Sequence, residues 1–189
     1  DIGTAKPSPL ERARVRHHLL DRVDPDEPFD AARFMEEARA VVRDLAGSGT
    51  PVFVVGGTGL YIRALLGGLV SSLPADEGLR ADYRRRLHHE GVQALYNELR
   101  NRDNRAAQRI HPNDAVRIIR ALEVITLTGR SLFEEQARHG FSDHPYDSLK
   151  IGLALPRPVL FDRIERRTLE MVRTGWREET KRLLDMGYT

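Results

Sequence analysis

The chain has 189 residues, of which 40% are hydrophobic and 31% charged, and a formal net charge of +2. A chain of this size can bury one substantial core with a smaller appended lobe. It contains no cysteine, which excludes disulfide bonds, thiolate zinc sites and cysteine nucleophiles. No apolar run is long enough to span a bilayer and no leader resembles a signal peptide, so we expect a soluble, cytoplasmic protein.

The first predicted elements are two helices. Ser8-Pro9 is typical of an N-cap and first helical position, and predicts a helix through Val15. Residues 17–21 are compatible with a short strand. A second helix is predicted to begin at Phe29-Asp30 and to end at Gly47 or Gly49, because apolar residues recur with helical spacing at Phe34, Ala38, Val41 and Leu45.

The stretch 52–66, VFVVGGTGLYIRALL, is an apolar run that stops at glycines and a threonine and resumes with helical spacing. It predicts a buried strand, a turn and a helix, the order typical of a parallel α/β sheet. A second strand is predicted at 150–155, followed by a helix from Pro158 to about Arg173. We therefore expect an α/β fold with a parallel sheet.

The middle of the chain is helical in pattern. Gly67-Gly68 and residues 71–75 mark a boundary, and apolar residues then follow helical spacing at 79–87, 92–99 and 114–128, with Gly129 as the last stop. This pattern predicts an all-α insertion. We expect residues 1–68 to form the first part of the α/β core, 69–147 the insertion and 148–189 the resumed core.

Charge is concentrated in this insertion. Residues 79–139 contain twelve arginines against eight Asp and Glu, together with four of the seven histidines. A basic lobe favours a polyanion partner, although arginine-rich helices are also commonly just solvated faces. No metal-binding cluster is visible, since His17-His18 and His88-His89 are adjacent pairs, which do not share a helix face.

The glycine turn Gly56-Gly57-Thr58-Gly59 is the first candidate site. Glycines let backbone N–H groups approach a ligand, and the N-terminus of the following helix favours anions. The chain has no Walker A pattern. A tight turn needed only for helix packing explains the glycines equally well. Thr58 contributes the one side-chain hydroxyl of the turn.

Arg167 is the second candidate. It lies within the apolar stripe of the helix that ends near Arg173, at i+3 from Ile164 and i−4 from Met171. A guanidinium that faces a core or a cleft requires a partner, because it stays charged at any relevant pH. The partner is either a structural carboxylate or an anionic ligand.

Arg117 and Arg120 are the third candidate. They share one face of the helix that Asn113 or Asp114 is expected to cap, opposite Ile118, Leu122 and Ile125. Two arginines one turn apart near a helix start can bind phosphate or stack on an unpaired base, or can simply keep the helix soluble.

Taken together, four strings resemble the tRNA dimethylallyltransferase family in order and spacing. They are DIGTAKP at 1–7, HHLLD at 17–21, GGTGLY at 56–61, and IHPND at 110–114 with RALEV at 120–124. The likeness covers essentially the whole chain. The chain corresponds to the central portion of the family's sequence. It does not include the family's N-terminal phosphate loop, the aspartate general base that follows that loop, or the family's C-terminal part.

The resemblance implies a P-loop-type α/β fold that transfers a dimethylallyl group from its diphosphate to N6 of the adenosine beside the anticodon of tRNA, with Mg²⁺. It implies that Thr58 is catalytic and that Arg167, Gly57 and Lys6 bind the diphosphate. The resemblance also implies tRNA contacts, at the positions that match those of the family: Arg80, Val116, Arg117, Ile118, Ile119 and Arg120. Position 116 is Val where the family often has a polar residue. The partners implied are a tRNA anticodon stem-loop and dimethylallyl diphosphate, bound by a monomer and without a membrane.

Two other functions remain open at this stage. An adenylate prenyltransferase would use free AMP or ADP, although a mononucleotide has no need of a large basic insertion. The third hypothesis is a non-catalytic RNA-binding fragment. It applies if the chain is complete as given, because these residues alone would be inactive.

Overall fold

The structure is a computed structural model that describes residues 1–69 and 75–188. This part of the chain contains ten α-helices. In chain order they are α1 (Pro9–Arg14), α2 (Ala31–Gly47), α3 (Gly59–Gly67), α4 (Glu77–Glu90), α5 (Val92–Arg102), α6 (Asn104–Ala107), α7 (Ala115–Thr128), α8 (Leu132–His139), α9 (Arg157–Arg173) and α10 (Trp176–Asp185). Within the same residues, no helix is both long enough and apolar enough to cross a bilayer.

The chain divides into two compact units. Unit 1 consists of Asp1–Phe53 and Ser148–Thr189, and unit 2 consists of Val54–Asp147. Unit 1 therefore holds α1, α2, α9 and α10, and unit 2 holds α3 to α8. The boundaries expected from the sequence, after residues 68 and 147, stay predictions, and most of the predicted boundary segment 71–75 lies outside the described residues.

The predicted helix starts are confirmed, and local chemistry explains them. Ser8 and Glu11 form a reciprocal capping box at α1, with the Glu11 carboxylate accepting from the Ser8 backbone N–H at 2.8 Å. Asp30 caps α2 by accepting from the N–H groups of Ala32 and Arg33. The Asp114 carboxylate caps α7 by accepting from the Arg117 N–H at 3.1 Å.

Unit 2 is built around one hydrophobic core. Helices α4, α5 and α7 pack against one another, α6 packs on α5, and α8 packs on α7. The core side chains include Tyr83, Leu95, Leu99, Ile118, Leu122 and Val124. At its edge, the hydroxyl groups of Tyr83 and Thr126 share a hydrogen bond of 3.0 Å. The helices predicted within the insertion are confirmed; α6 and α8 are additions that the sequence patterns did not predict.

The predicted P-loop-type parallel sheet is wrong for the described residues, which contain no β-strand. Residues 52–55 and 150–155 are apolar as predicted, yet Phe53 is 88% exposed and Leu153 is 95% exposed. A strand requires a neighbouring segment whose N–H and C=O groups pair with its own. An apolar run indicates a tendency to be buried, but it does not supply that neighbour.

The short segment 17–21 is not a strand either. Leu19 and Asp21 have φ angles of 60° and 55°, in the left-handed region. Strand geometry requires negative φ at successive residues, so two left-handed residues in five interrupt it. The segment forms bends and joins α1 to the loop that precedes α2.

Candidate functional site

The glycine turn of unit 2 is exposed and leads directly into α3. Thr58 is the N-cap residue, and its backbone C=O accepts from the N–H of Tyr61 at 3.0 Å. Its side chain makes no capping hydrogen bond. The hydroxyl of Thr58 therefore has no role in starting the helix, and it lies at the exposed end of α3.

The glycines of the turn have no packing role within the described residues. A Cβ atom built at Gly56, Gly57 or Gly59 meets no atom within 4 Å. None of the three has a positive φ angle, so an L side chain would fit the backbone there as well. The sequence left two explanations for these glycines, a turn that binds a ligand and a turn needed only for helix packing. The second is not supported. Open space in front of the helix N-terminus suits a ligand that approaches the backbone.

The C-terminal half of α3, in contrast to the glycine turn, is packed against the rest of unit 2. Ala64 and Leu65 are fully buried, and the Gly67 C=O accepts from the Asp143 N–H at 3.2 Å. The Arg63 guanidinium lies 4.3 Å from the centroid of the Phe141 ring. A Cβ at Gly67 would collide with the Phe141 backbone. Helix α3 is thus held by its C-terminal half, which leaves the glycine turn open.

Arg167 lies on α9 in unit 1. The apolar stripe predicted around it, which includes Leu160, is present, but the described residues do not cover it, since Leu160 is 40% and Ile164 51% exposed. Arg167 is exposed too, and no described carboxylate forms an ion pair with it. The expected buried guanidinium is therefore not found, and the structural ion pair has no partner among these residues.

Lys6, also in unit 1, is engaged with acidic side chains. Its ammonium contacts the carboxylates of Asp1 and Asp21, and Arg12 lies 3.0 Å from the second Asp21 oxygen. The hydrogen bond from Lys6, followed by that from Arg12, lowers the pKa of Asp21 despite the opposing effect of desolvation. To bind a diphosphate, the Lys6 ammonium would have to leave these carboxylates and contact phosphate oxygens in their place.

The predicted RNA contacts of unit 2 fall into two groups. Val116 is 80% exposed, and the side chain of Arg117 is 74% exposed while it pairs with Asp114 at 2.7 Å. Arg80 and Arg120 are each about a third exposed. In contrast, Ile118 and Ile119 are core residues, so we leave them out of the proposed RNA surface. That surface, the α4–α7 face, consists of Arg80, Val116, Arg117 and Arg120.

A buried carboxylate connects the two partly exposed arginines of this face. Glu123 on α7 has no exposed surface. Its Oε1 atom lies 2.8 Å from Nε of Arg80 and accepts from the Asp76 N–H at 2.8 Å. Its Oε2 atom accepts from Nη1 of Arg120. Both carboxylate oxygens are therefore satisfied by positive or N–H partners, as a buried charge requires.

The balance of these effects keeps Glu123 ionised. Burial raises the pKa of its carboxyl, but the hydrogen bond from Asp76 and the guanidiniums of Arg120 and Arg80 outweigh burial, and the pKa lies below the ordinary value of a glutamate. The sequence patterns did not single out Glu123. A signal was available, because this acidic residue stands between Leu122 and Val124, which are both core residues.

The described residues do not fit a metal ion held by protein ligands. Within 1–69 and 75–188, no three His, Asp or Glu side chains are grouped closely enough to bind one. Mg²⁺ commonly keeps waters and binds through one or two carboxylates together with substrate phosphates.

The whole chain, residues 1–189, matches the family model described as IPP transferase. It is 56% identical over its full length to tRNA dimethylallyltransferase 2 of Syntrophus aciditrophicus, of which it covers 60%. It is 49% identical to the tRNA dimethylallyltransferase of Geobacter sulfurreducens, of which it covers 61%. The chain thus spans about three fifths of the length of these relatives.

Two solved structures extend the likeness. The full-length tRNA isopentenylpyrophosphate transferase of Bacillus halodurans is 41% identical, with a TM-score of 0.61 over 99% of this chain and 57% of its own. A eukaryotic dimethylallyltransferase acting on tRNA is 27% identical, with a TM-score of 0.76 over all of this chain and 48% of its own. The resemblance inferred from the four strings is confirmed, and the chain belongs to the IPP transferase family.

Proposed function

We propose that the intact protein is a tRNA dimethylallyltransferase. It transfers the dimethylallyl group of dimethylallyl diphosphate to N6 of the adenosine beside the anticodon and releases diphosphate. The observation that carries this proposal is the match of the whole chain to the IPP transferase family, together with 56% identity to a relative named tRNA dimethylallyltransferase 2. The exposed glycine turn and the basic α4–α7 face support it.

The reaction demands two things of the protein. The adenine amine is a weak nucleophile, and the diphosphate leaves only if its growing negative charge is neutralised. Positioning the amine against the allylic carbon supplies much of the remaining acceleration. The adenine must also leave its stack before it can reach the allylic carbon.

The glycine turn is suited to the leaving group. Gly57 is exposed, directly precedes the N-cap of α3, and leaves open space where a Cβ would lie. A helix N-terminus stabilises negative charge. The Thr58 hydroxyl makes no capping bond, and its proposed role is to donate to the diphosphate or to accept from the adenine amine. In unit 1, the proposed contacts of the diphosphate are Arg167 and, once it leaves its carboxylate partners, Lys6.

The α4–α7 face is the proposed RNA contact. Arg80, Arg117 and Arg120 contribute positive charge for phosphates, Arg117 is the most exposed of the three, and exposed Val116 offers an apolar surface. Phosphate contacts position an RNA without reading its sequence. We propose that the protein binds the anticodon stem-loop here as a monomer, and that Mg²⁺ accompanies the diphosphate.

The test uses the intact protein, an anticodon stem-loop and dimethylallyl diphosphate with Mg²⁺. Mass spectrometry of the digested RNA should reveal an adenosine heavier by one dimethylallyl group, and diphosphate should be released in equal amount. A stem-loop in which that adenosine is replaced by guanosine is the control. Folded protein that yields no product would refute the proposal, and AMP that outcompetes the stem-loop would assign the protein to mononucleotide prenylation.

A further inference from the structure

A single carboxylate of unit 1 holds residues 1–3 against α10. Both oxygens of Glu179 lie 3.0 Å from the backbone nitrogen of Ile2, and Oε2 accepts from the Gly3 N–H at 3.1 Å. The Asp1 amino group lies 2.6 Å from Oε1; the other two donors are peptide N–H groups, which a longer chain has as well. Hydrogen bonds from the Asp1 amino group, Ile2 and Gly3 lower the pKa of Glu179 to about 2, so its carboxylate is ionised.

The indole ring of Trp176, three residues before Glu179 on α10, packs on the same segment. A Cβ atom built at Gly3 would collide with this ring. A Cβ at Gly175 would lie 3.9 Å from Cδ1 of Ile2. The start of α10 therefore holds residues 1–3 through a carboxylate and an aromatic ring.

The held residues fix the backbone of Lys6. The Lys6 N–H donates to the Asp1 C=O at 2.9 Å, and the Ala5 N–H donates to the Ile2 C=O at 2.9 Å. Ala5 has a φ angle of 53°, in the left-handed region that an alanine adopts only where the surrounding structure imposes it. Residues 1–6 thus form a closed turn, and Glu179 binds the half of it that does not carry Lys6.

The Lys6 ammonium can change partners without leaving a carboxylate unpaired. It contacts Asp1 and Asp21. Asp21 keeps Arg12, at 3.0 Å, when the ammonium moves away. The Asp1 side chain is 68% exposed, so water replaces the ammonium there. Because exposed ion pairs contribute little to stability, these carboxylates can be exchanged for phosphate oxygens while the backbone of Lys6 stays in place.

We propose that Glu179 is a positioning residue for diphosphate binding: by holding residues 1–3 on α10, it keeps the backbone of Lys6 fixed while the Lys6 ammonium moves to a phosphate of the substrate. This inference rests on the proposed function, which assigns Lys6 to the diphosphate of dimethylallyl diphosphate. In this role Glu179 does not touch the substrate. It removes backbone freedom that the segment would otherwise lose on binding.

Two other roles for Glu179 predict different results. If its charge alone matters, its removal makes unit 1 more positive and should lower the KM for an anionic substrate. If its role is purely structural, its removal should lower the melting temperature and leave that KM unchanged. The positioning role predicts a higher KM in spite of the added positive charge.

The experiment compares the intact wild-type protein, Glu179→Ala and Glu178→Ala. Glu178 is the matched control, because it has the same charge, lies in the same turn of α10 and is exposed. Steady-state prenylation of an anticodon stem-loop gives kcat and both KM values, and calorimetry gives the Kd for inorganic diphosphate. We expect Glu179→Ala to raise the KM for dimethylallyl diphosphate and this Kd about tenfold, as for one weakened charge-assisted hydrogen bond. The KM for the stem-loop and kcat should not change, and Glu178→Ala should behave like wild type.

A double-mutant cycle with Lys6→Gln tests whether Glu179 acts through Lys6. Lys6→Gln removes the ammonium and should raise the KM for dimethylallyl diphosphate about tenfold. If Glu179 acts by positioning that ammonium, Glu179→Ala adds nothing in the Lys6→Gln background, and the double variant stays about tenfold above wild type. Independent effects would multiply to about a hundredfold and would refute the positioning role.

Gly3→Ala disturbs the same contact without changing a charge, and it decides the question if Glu179→Ala fails to fold. Its Cβ drives residues 1–3 away from Trp176, so we expect the same rise in the KM for dimethylallyl diphosphate. Gly47→Ala, where an added Cβ meets no atom within 4 Å, is its control. A wild-type KM in Gly3→Ala would overturn the proposal.

The remaining outcomes are equally definite. An unchanged or lower KM for dimethylallyl diphosphate in Glu179→Ala refutes the positioning role, and so does an equal rise in Glu178→Ala. If wild type prenylates the stem-loop and Glu179→Ala behaves like wild type, the positioning role alone fails. If folded wild-type protein yields no prenylated RNA, the proposed function fails and the positioning role falls with it.

Discussion

The Oε1 atom of Glu123 accepts a hydrogen bond of 2.8 Å from the backbone N–H of Asp76, 47 residues earlier in the chain. Asp76 is itself the N-cap of α4, where its carboxylate accepts from the Leu79 N–H at 2.9 Å. One buried side chain thus joins the middle of α7 to the first turn of α4. The carboxylate that contacts Arg80 and Arg120 of the α4–α7 face therefore also holds α4 and α7 of unit 2 together.

Truncation of Glu123 should destabilise unit 2 strongly. Glu123→Ala leaves the Asp76 N–H and two guanidinium groups without this acceptor, so we expect the free energy of unfolding to fall by about 3 kcal/mol. Urea denaturation followed by circular dichroism measures this change. Asp82→Asn, which breaks an exposed pair with Arg85, is the control and should change it by less than about 1 kcal/mol. Equal effects would show that burial of Glu123 does not matter.

Glu123 should also contribute to acid sensitivity. Its pKa is lower in the folded protein than in the unfolded chain, because the Asp76 N–H, Arg120 and Arg80 together outweigh burial. Between the two pKa values the unfolded state binds more protons, so stability rises with pH there. The contribution is complete above the unfolded pKa and is lost as pH falls through the folded pKa. Melting curves at a series of pH values below neutral should show a steeper acid decline for wild type than for Glu123→Gln.

The glycine turn and the anchored end of α3 should respond differently to a methyl group. Gly57→Ala places its Cβ in open space and should change the free energy of unfolding by less than about 0.5 kcal/mol. We expect it to lower prenylation about tenfold by obstructing the ligand's approach. Gly67→Ala drives its Cβ into Phe141 and should lower stability by about 2 kcal/mol. Full activity in Gly57→Ala would remove the turn from the proposed site.

Thr58→Ala should affect turnover without affecting the fold. An N-cap threonine normally contributes about 1 kcal/mol through its side-chain hydrogen bond, but that bond is missing here. We expect an unchanged melting temperature, unchanged RNA affinity and a kcat about a hundredfold lower, as for removal of one preorganised hydrogen-bonding group. Thr58→Ser keeps the hydroxyl and should keep most of the rate. Turnover at the wild-type level in Thr58→Ala would exclude a catalytic role.

Arg167→Gln should weaken the use of dimethylallyl diphosphate. Arg167 is exposed and has no ion-pair partner among the described residues, so its loss removes no ion pair within them. The KM for dimethylallyl diphosphate should rise about tenfold, since a charge-assisted hydrogen bond to phosphate is lost. Arg166→Gln on the same helix, where Arg166 pairs with Asp162 at 2.9 Å, is the control. A lower melting temperature with an unchanged KM would instead assign Arg167 a structural role.

Local chemistry made the helices predictable. The N-caps Ser8, Asp30 and Asp114 act on N–H groups two or three residues away, and Gly129 ends α7 with a φ of 68°. Such interactions are complete within one turn, so the residue types and their spacing specify them. The four family strings were recognisable for the same reason, since each consists of short local segments.

The sequence by itself therefore determined the capped starts of α1, α2 and α7, the basic helical unit, and the family to which the chain belongs. Only the tertiary structure decided that the apolar runs at 52–55 and 150–155 are not strands among the described residues, that Arg167 is exposed, and that Glu123 is buried between Arg80 and Arg120. The physical reason is distance along the chain. Strand pairing, burial and ion pairing depend on partners from other elements, which a local pattern does not specify.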